Sequence, residues 1–398
     1  MFNDMKVYTV LLIFFYYLTW TLADVDIDSF KTIDTNLTLS ELYESAVEAY
    51  LSEDWDECVK RFTEAIQGYK IYKKTIIKCR QNCAIEAEGW EPFYPENIED
   101  LHFYERKIRQ TLCLMRCNQD YKDIANKEKL KRLPMDIERK FLDHHVYEYL
   151  HICYYQKNLF QDAANAVFTF LVMHPHHNVS VNTLRHYLTL PGVHADNVSN
   201  LEMSHFLNSY VTGMSEYEKE NYKESIKLFE QSLRDYFNLE NECRIYCEGP
   251  FDQGWHPEFT SLIANHFTYS LKCKRSCSRL LNYVNGEHRD DLLRSHYNYL
   301  QFAYYKLGNL AAASKAVESY LLFDPVDETM LNNKKYYLGL PKTRMEYFVP
   351  RDEALAYVKR QEYERRILRY ISEEFMLLHE ELKQSFNKTN KNKENQVH

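Results

Sequence analysis

An internal duplication constrains this chain more than any other feature. Tyr149-Leu150-His151-Ile152-Cys153-Tyr154-Tyr155 returns as Tyr299-Leu300-Gln301-Phe302-Ala303-Tyr304-Tyr305. In the same register Ala163, Ala166, Val167, Phe170, Leu171 and Pro175 return as Ala313, Ala316, Val317, Tyr320, Leu321 and Pro325. Tyr187-Leu188-Thr189-Leu190-Pro191 reappears as Tyr337-Leu338-Gly339-Leu340-Pro341. An earlier block repeats too, with Tyr43, Tyr50, Trp55, Cys58, Phe62 and Ala65 set against Tyr210, Tyr217, Tyr222, Ser225, Phe229 and Ser232. Whatever the unit is, it must fold twice, and its neighbours must bury what one unit leaves open.

Within each half the spacing predicts paired helices. Tyr147, Leu150, Tyr154, Ala163, Val167, Phe170 and Pro175 fall at the tetratricopeptide positions, as do Tyr297, Leu300, Tyr304, Ala313, Val317, Tyr320 and Pro325. Aromatic rings on one helix fill the space that small residues leave on the next. Turns are expected at Glu53-Asp54, Lys157-Asn158, Glu220-Asn221 and Leu307-Gly308-Asn309, and Pro175 and Pro325 stop helices. The fold class expected is all-α: a duplicated tetratricopeptide-like helical array with disulfide-stapled hairpins. The halves are placed at 24–195 and 196–345, followed by an amphipathic helix over 346–385 and a disordered tail over 386–398. Composition agrees, because 9 Gly and 10 Pro in 398 residues are too few for the turns of a β-rich or dinucleotide-binding fold. A net charge of −9 argues against a nucleic-acid partner.

Eight cysteines fall in CxxxC pairs, at Cys79/Cys83, Cys113/Cys117, Cys243/Cys247 and Cys273/Cys277, two pairs per half. Residues four apart share a helix face, and a bridge within one pair would be strained. An antiparallel hairpin solves this by pairing Cys79 with Cys117, Cys83 with Cys113, Cys243 with Cys277 and Cys247 with Cys273. Each bridge would stabilise the fold by roughly 3–4 kcal/mol in the chain-entropy account. Zinc is the rival occupant, with spacing wider than the C-x2-C of zinc ribbons and an oxidising compartment against it. Cys58 and Cys153 are left over; they align with Ser225 and Ala303 and read as buried free thiols.

The compartment is read from the amino terminus. Lys6, the apolar run Val7 to Leu18 and Thr21-Leu22-Ala23 have the order of a cleaved signal peptide over residues 1–23. No membrane span is expected after cleavage. The endoplasmic-reticulum lumen is the expected location, with the extracellular matrix as a second destination. Asn36, Asn178, Asn197 and Asn387 are candidate glycosylation sites in that route. Asn395 to His398 carry no retrieval signal. Between the cysteine pairs lie two loops rich in Trp, Phe and Pro. Trp90, Phe93 and Tyr94 in the first, and Phe251 and Trp255 in the second, either plug the hairpin ends or present a partner surface.

These features together resemble the leprecan family of collagen-modifying proteins, on the paired CxxxC motifs, the repeats, and segments such as Ser319-Tyr320-Leu321-Leu322-Phe323-Asp324. The resemblance covers the chain to about Arg351 and is closest to members without the family's dioxygenase domain. It implies a non-catalytic helper in a collagen prolyl 3-hydroxylation complex, with prolyl 3-hydroxylase, cyclophilin B and procollagen chains as partners. A related lysyl hydroxylation complex is the alternative. The enzyme itself is a further one, since His288-Arg289-Asp290 spells an iron-binding HxD with His379 and Lys383 downstream. Helical spacing through Leu355, Val358, Tyr363, Ile367, Ile371, Phe375 and Leu378 leaves no room there for the β-barrel such ligands need. No catalytic residue, cofactor or metal is therefore assigned. His174-Pro175-His176-His177 reads as a helix stop.

Overall fold

A computed structural model describes residues 37–117, 121–122, 129–130, 133–249, 259–284 and 287–394. The first half contains α1 (Leu39–Leu51), α2 (Trp55–Gly89), α3 (Leu101–Cys117), α4 (Met135–Leu142), α5 (Val146–Gln156), α6 (Phe160–Met173) and α7 (Asn178–Tyr187). The second half contains α8 (His205–Glu218), α9 (Tyr222–Tyr246), α10 (Phe259–Leu281), α11 (Leu292–Lys306), α12 (Leu310–Leu321) and α13 (Glu328–Leu338). A last helix, α14, spans Asp352–Glu394. Among the described residues the strands are β1 (Tyr121–Lys122) with β2 (Lys129–Leu130) and β3 (Tyr283–Val284) with β4 (Glu287–His288), two short antiparallel hairpins in equivalent places.

The repeats build one aromatic core per half, in the same geometry. Phe62 stacks on Tyr149 at 5.7 Å between ring centres, and Phe229 stacks on Tyr299 at 4.8 Å. Ala163, Ala166, Ala313 and Ala316 are fully buried, so the rings close against small residues as the spacing implied. Inter-helix turns follow one scheme. Glu53, Asn158, Glu220 and Gly308 each take a left-handed conformation. The following residue donates its N–H five residues back, to Ala49, Tyr154, Glu216 and Tyr304 respectively. Each repeat therefore closes its first helix with a Schellman motif.

Two features differ from expectation. Cys58 and Cys153 are not free: they are bridged, with Cα atoms 6.2 Å apart, and tie α2 to α5 through the first core. Ser225 and Ala303 at the equivalent places cannot form such a bond, so reading one half from the other hid it. The tail expected to be disordered from residue 386 is helical to Glu394. Its Asn- and Lys-rich composition, which suggested disorder, extends a helix already running from Asp352.

α2 is long because it serves two structures. Its first part is the second helix of a repeat; its last part carries Cys79 and Cys83 and leans on α3. In the second half α9 and α10 do the same.

Candidate functional site

The stapled hairpins are joined by Cys79–Cys117 and Cys83–Cys113 in the first half, and by Cys243–Cys277 and Cys247–Cys273 in the second. Their Cα separations are 6.0, 5.5, 5.8 and 5.6 Å. Two bridges one helical turn apart fix both the spacing and the rotation of the paired helices. In the first hairpin the staple packs with Leu114 into a small core of its own.

The free end of the first hairpin carries the aromatic loop. Trp90 and Phe93 are 61% and 86% exposed, so these rings do not plug the hairpin end. They hold Arg109 of α3 instead, whose guanidinium lies 4.5 Å from the Trp90 ring centre and 4.4 Å from that of Phe93. Arg109 is also paired with Glu105 at 2.6 Å. The Phe93 N–H donates to the same carboxylate at 3.1 Å. Desolvation pushes the Glu105 carboxyl up, but the Arg109 bond and the Phe93 N–H outweigh it and hold it below the usual carboxylate range. Arg109 thus acts as a bracket: its planar cation suits two ring faces while its edge satisfies the carboxylate. Tyr94 is also exposed, and its carbonyl lies 2.8 Å from His102 Nε2. A cavity of about 490 Å³ opens between Gly89, Trp90, Glu91, Pro92, Phe93 and Arg109.

Neither Arg109 nor Glu105 was marked by a motif. The i, i+4 acid–base pair was the available signal, but such pairs are common on solvated helix faces. Phe251 and Trp255, the second half's loop candidates, lie outside the described residues, as do Asn36 and the expected signal peptide. Asn178 opens α7 and Asn197 lies in a 3-10 turn over Ala195–Asn197, both exposed. Asn387 lies within α14. His288 ends the β3–β4 hairpin with Nδ1 3.3 Å from Asp290, whose side chain is 94% exposed. His379 belongs to α14, so the HxD pair and the distal His sit on a hairpin and a helix rather than on strands of one barrel. No helix among the described residues is long and apolar enough to cross a membrane.

The two hairpins meet across the halves. Arg80 of α2 donates to the Tyr246 carbonyl and stacks 4.8 Å from its ring, and Gly249 leaves no space for a Cβ against the guanidinium. Gln110 of α3 reaches Glu248 at 3.3 Å, and Lys274 of α10 takes the same carboxylate at 2.6 Å.

A family profile described as the leprecan family TPR-like repeat region matches residues 38–340. Prolyl 3-hydroxylase 1 of Gallus gallus is 30% identical over 341 residues, covering 82% of this chain and 46% of its own length. Prolyl 3-hydroxylase 2 of Gallus gallus is 31% identical over 342 residues, covering 82% of this chain and 48% of its own. Cartilage-associated protein of Homo sapiens is 29% identical over 328 residues, which is 81% of this chain and 80% of that protein. The chain spans about half the length of the prolyl 3-hydroxylases it matches. With the repeats, the staples and a profile match over well more than half of its residues, this chain belongs to the leprecan family.

Proposed function

We propose that the chain is a non-catalytic helper subunit of a collagen prolyl 3-hydroxylation complex in the endoplasmic reticulum. The observation that carries this reading is reciprocal coverage: the chain and cartilage-associated protein match over about four-fifths of each other. The architecture supports it, because helical arrays bind by broad surfaces and the exposed aromatic loop supplies anchors of the type found at interfaces. Prolyl 3-hydroxylase, cyclophilin B and procollagen chains are the proposed partners. Its place in the lumen would come from association with those partners.

The test is depletion in collagen-secreting cells that express the chain. Collagen 3-hydroxyproline should fall while 4-hydroxyproline is unchanged, and the chain should co-purify with a prolyl 3-hydroxylase. Unchanged 3-hydroxyproline with reduced hydroxylysine would move it to a lysyl-modifying complex. Hydroxylation of a collagen peptide by the purified chain with iron and 2-oxoglutarate, lost in His288→Ala, would make it an enzyme.

A further inference from the structure

Each stapled hairpin gathers its sulfurs into one place, and the two hairpins do so in the same way. In the first, the Sγ atoms of Cys79, Cys83 and Cys117 all lie within 4.8 Å of one another; in the second, those of Cys243, Cys247 and Cys277 do. The trios are equivalent: both cysteines of the first CxxxC and the last cysteine of the second. Among the described residues these are the groups of three or more His, Cys, Asp or Glu whose ligand atoms come so close. The fourth cysteine of each hairpin, Cys113 or Cys273, is bonded to a member of its trio, Cys83 or Cys247. Between the bridges, Cys83 Sγ stands 3.5 Å from that of Cys117, and Cys247 Sγ 3.9 Å from that of Cys277.

These two separations match the edge of a zinc–thiolate tetrahedron. Four sulfurs each about 2.3 Å from a zinc ion stand roughly 3.8 Å from one another. Cysteine enters a chain as a thiol, so before the staples close each hairpin would hold four thiols near that spacing. The CxxxC interval suits ligands carried on helices, because it puts both sulfurs on one face. Cys79, Cys83 and Cys117 are buried, as are Cys247 and Cys277. A buried thiolate needs a compensating cation, and a soft set of four sulfurs in a tetrahedron selects zinc.

We propose that in its thiol form each hairpin is a four-cysteine zinc site, formed by Cys79, Cys83, Cys113 and Cys117 in the first half and by Cys243, Cys247, Cys273 and Cys277 in the second. On binding, four thiols release four protons and four Zn–S bonds form, with no change of oxidation state. The ion then holds α2 to α3, and α9 to α10, at the place where the bridges hold them in the oxidised chain. The same cysteines thus give each hairpin two alternative staples. This assignment is independent of which hydroxylation complex the chain joins.

The test uses the full purified chain carrying Cys58→Ser and Cys153→Ala, the residues that the second half has at those places. A trialkylphosphine opens the remaining bridges: each takes up two electrons and two protons, and the phosphine gains an oxygen from water. Cobalt(II) titrated into this chain should give the strong visible absorption of a tetrahedral thiolate site and saturate at two ions per chain. Zinc should displace the cobalt with a dissociation constant below about 100 nM, weakening as pH falls because protons compete for the sulfurs. Cys79→Ser with Cys83→Ser, or Cys243→Ser with Cys247→Ser, should each halve the number of ions bound. Zinc protection of the eight CxxxC cysteines from alkylation, read by mass spectrometry, repeats the test without these substitutions. No tetrahedral absorption, saturation at one ion or fewer, or stoichiometry unmoved by either double substitution would overturn the proposal. So would equal affinity in concentrated urea, where the hairpin register is lost, or equal binding by the oxidised chain.

Discussion

His296 of α11 is a titratable ring with no exposed surface. It lies 4.6 Å from the Tyr210 ring and 5.9 Å from Phe229. In its neutral form Nδ1–H donates to the Leu292 carbonyl at 2.8 Å and Nε2 accepts the Ser232 hydroxyl at 2.8 Å. Burial lowers its pKa from 6.5 to about 4, and burial does the same to His151, which meets the Tyr187 hydroxyl in the first half. Between those two pKa values the unfolded chain binds a proton that the folded chain refuses. Stability is therefore complete above pH 6.5 and falls as pH drops towards 4, by up to roughly 3 kcal/mol per ring. The urea midpoint should decline between pH 7 and pH 5. His296→Val, the residue found at the equivalent position 146, should flatten that decline and leave the Ser232 hydroxyl proton, for which the two acceptors compete, to the Phe206 carbonyl alone. An unchanged pH slope in this variant would assign the acid loss to other groups.

The Schellman turns are the element at which the repeat is most uniform and its residues least so. Gly308 takes its left-handed conformation without strain, whereas Glu53 and Glu220 reach φ of 58° and 61° with a Cβ in the way. Both glutamates are exposed and precede the residue whose N–H closes the motif. Glu53→Gly and Glu220→Gly should each stabilise the fold by up to about 1 kcal/mol, and Gly308→Ala should cost a similar amount. Thermal melts of the three variants check the signs; destabilisation by both glycines would mean that the glutamate side chains contribute more than their strain costs.

These turns also mark what was legible in the sequence. Their positions follow from the repeat spacing, and so does the stapled hairpin, because i, i+4 cysteines on two antiparallel helices have few ways to pair. Cys58–Cys153 was hidden because its evidence is a long-range approach of two helices, and the duplicate unit carries Ser225 and Ala303 instead. Arg109 was hidden for another reason. Its role depends on a loop folding back over α3, which no periodicity encodes. The aromatic candidates Trp90 and Phe93 were visible as residue types, but their exposure depends on how that loop folds.

At the scale of the whole molecule, one helix face recurs with different partners. Counted from the paired cysteines Cys79 and Cys243, Lys73 and Arg80 of α2 stand in register with Phe237 and Arg244 of α9. In the first half that face takes Tyr246 of the second half, with Lys73 Nζ 5.7 Å and the Arg80 guanidinium 4.8 Å from its ring. In the second half it takes α14, where Tyr357 meets Phe237 at 5.9 Å, Arg360 pairs with Glu240 at 2.7 Å, and Glu364 pairs with Arg244. α14 therefore covers what a third unit would cover and ends the array as a cap. Its hold rests on charges taken out of water: Glu240, Arg244 and Glu364 are all buried. Burial raises the Glu240 pKa against the pull of Arg360 and Arg244, so the network has little charge to spare. Among the described residues, Glu364→Gln would leave Arg244 with Glu240 as its acidic partner, 3.6 Å away, and should destabilise the fold by roughly 3 kcal/mol. Removing both ends of the pair as Arg244→Met with Glu364→Leu should recover most of that loss, because two apolar side chains carry no desolvation penalty. Limited proteolysis distinguishes a cap from a passive tail: in Glu364→Gln, cleavage should begin within α14 while the repeats stay intact, and the double variant should restore protection. Cleavage that starts in the repeats of the first half instead would show that α14 does not close the array.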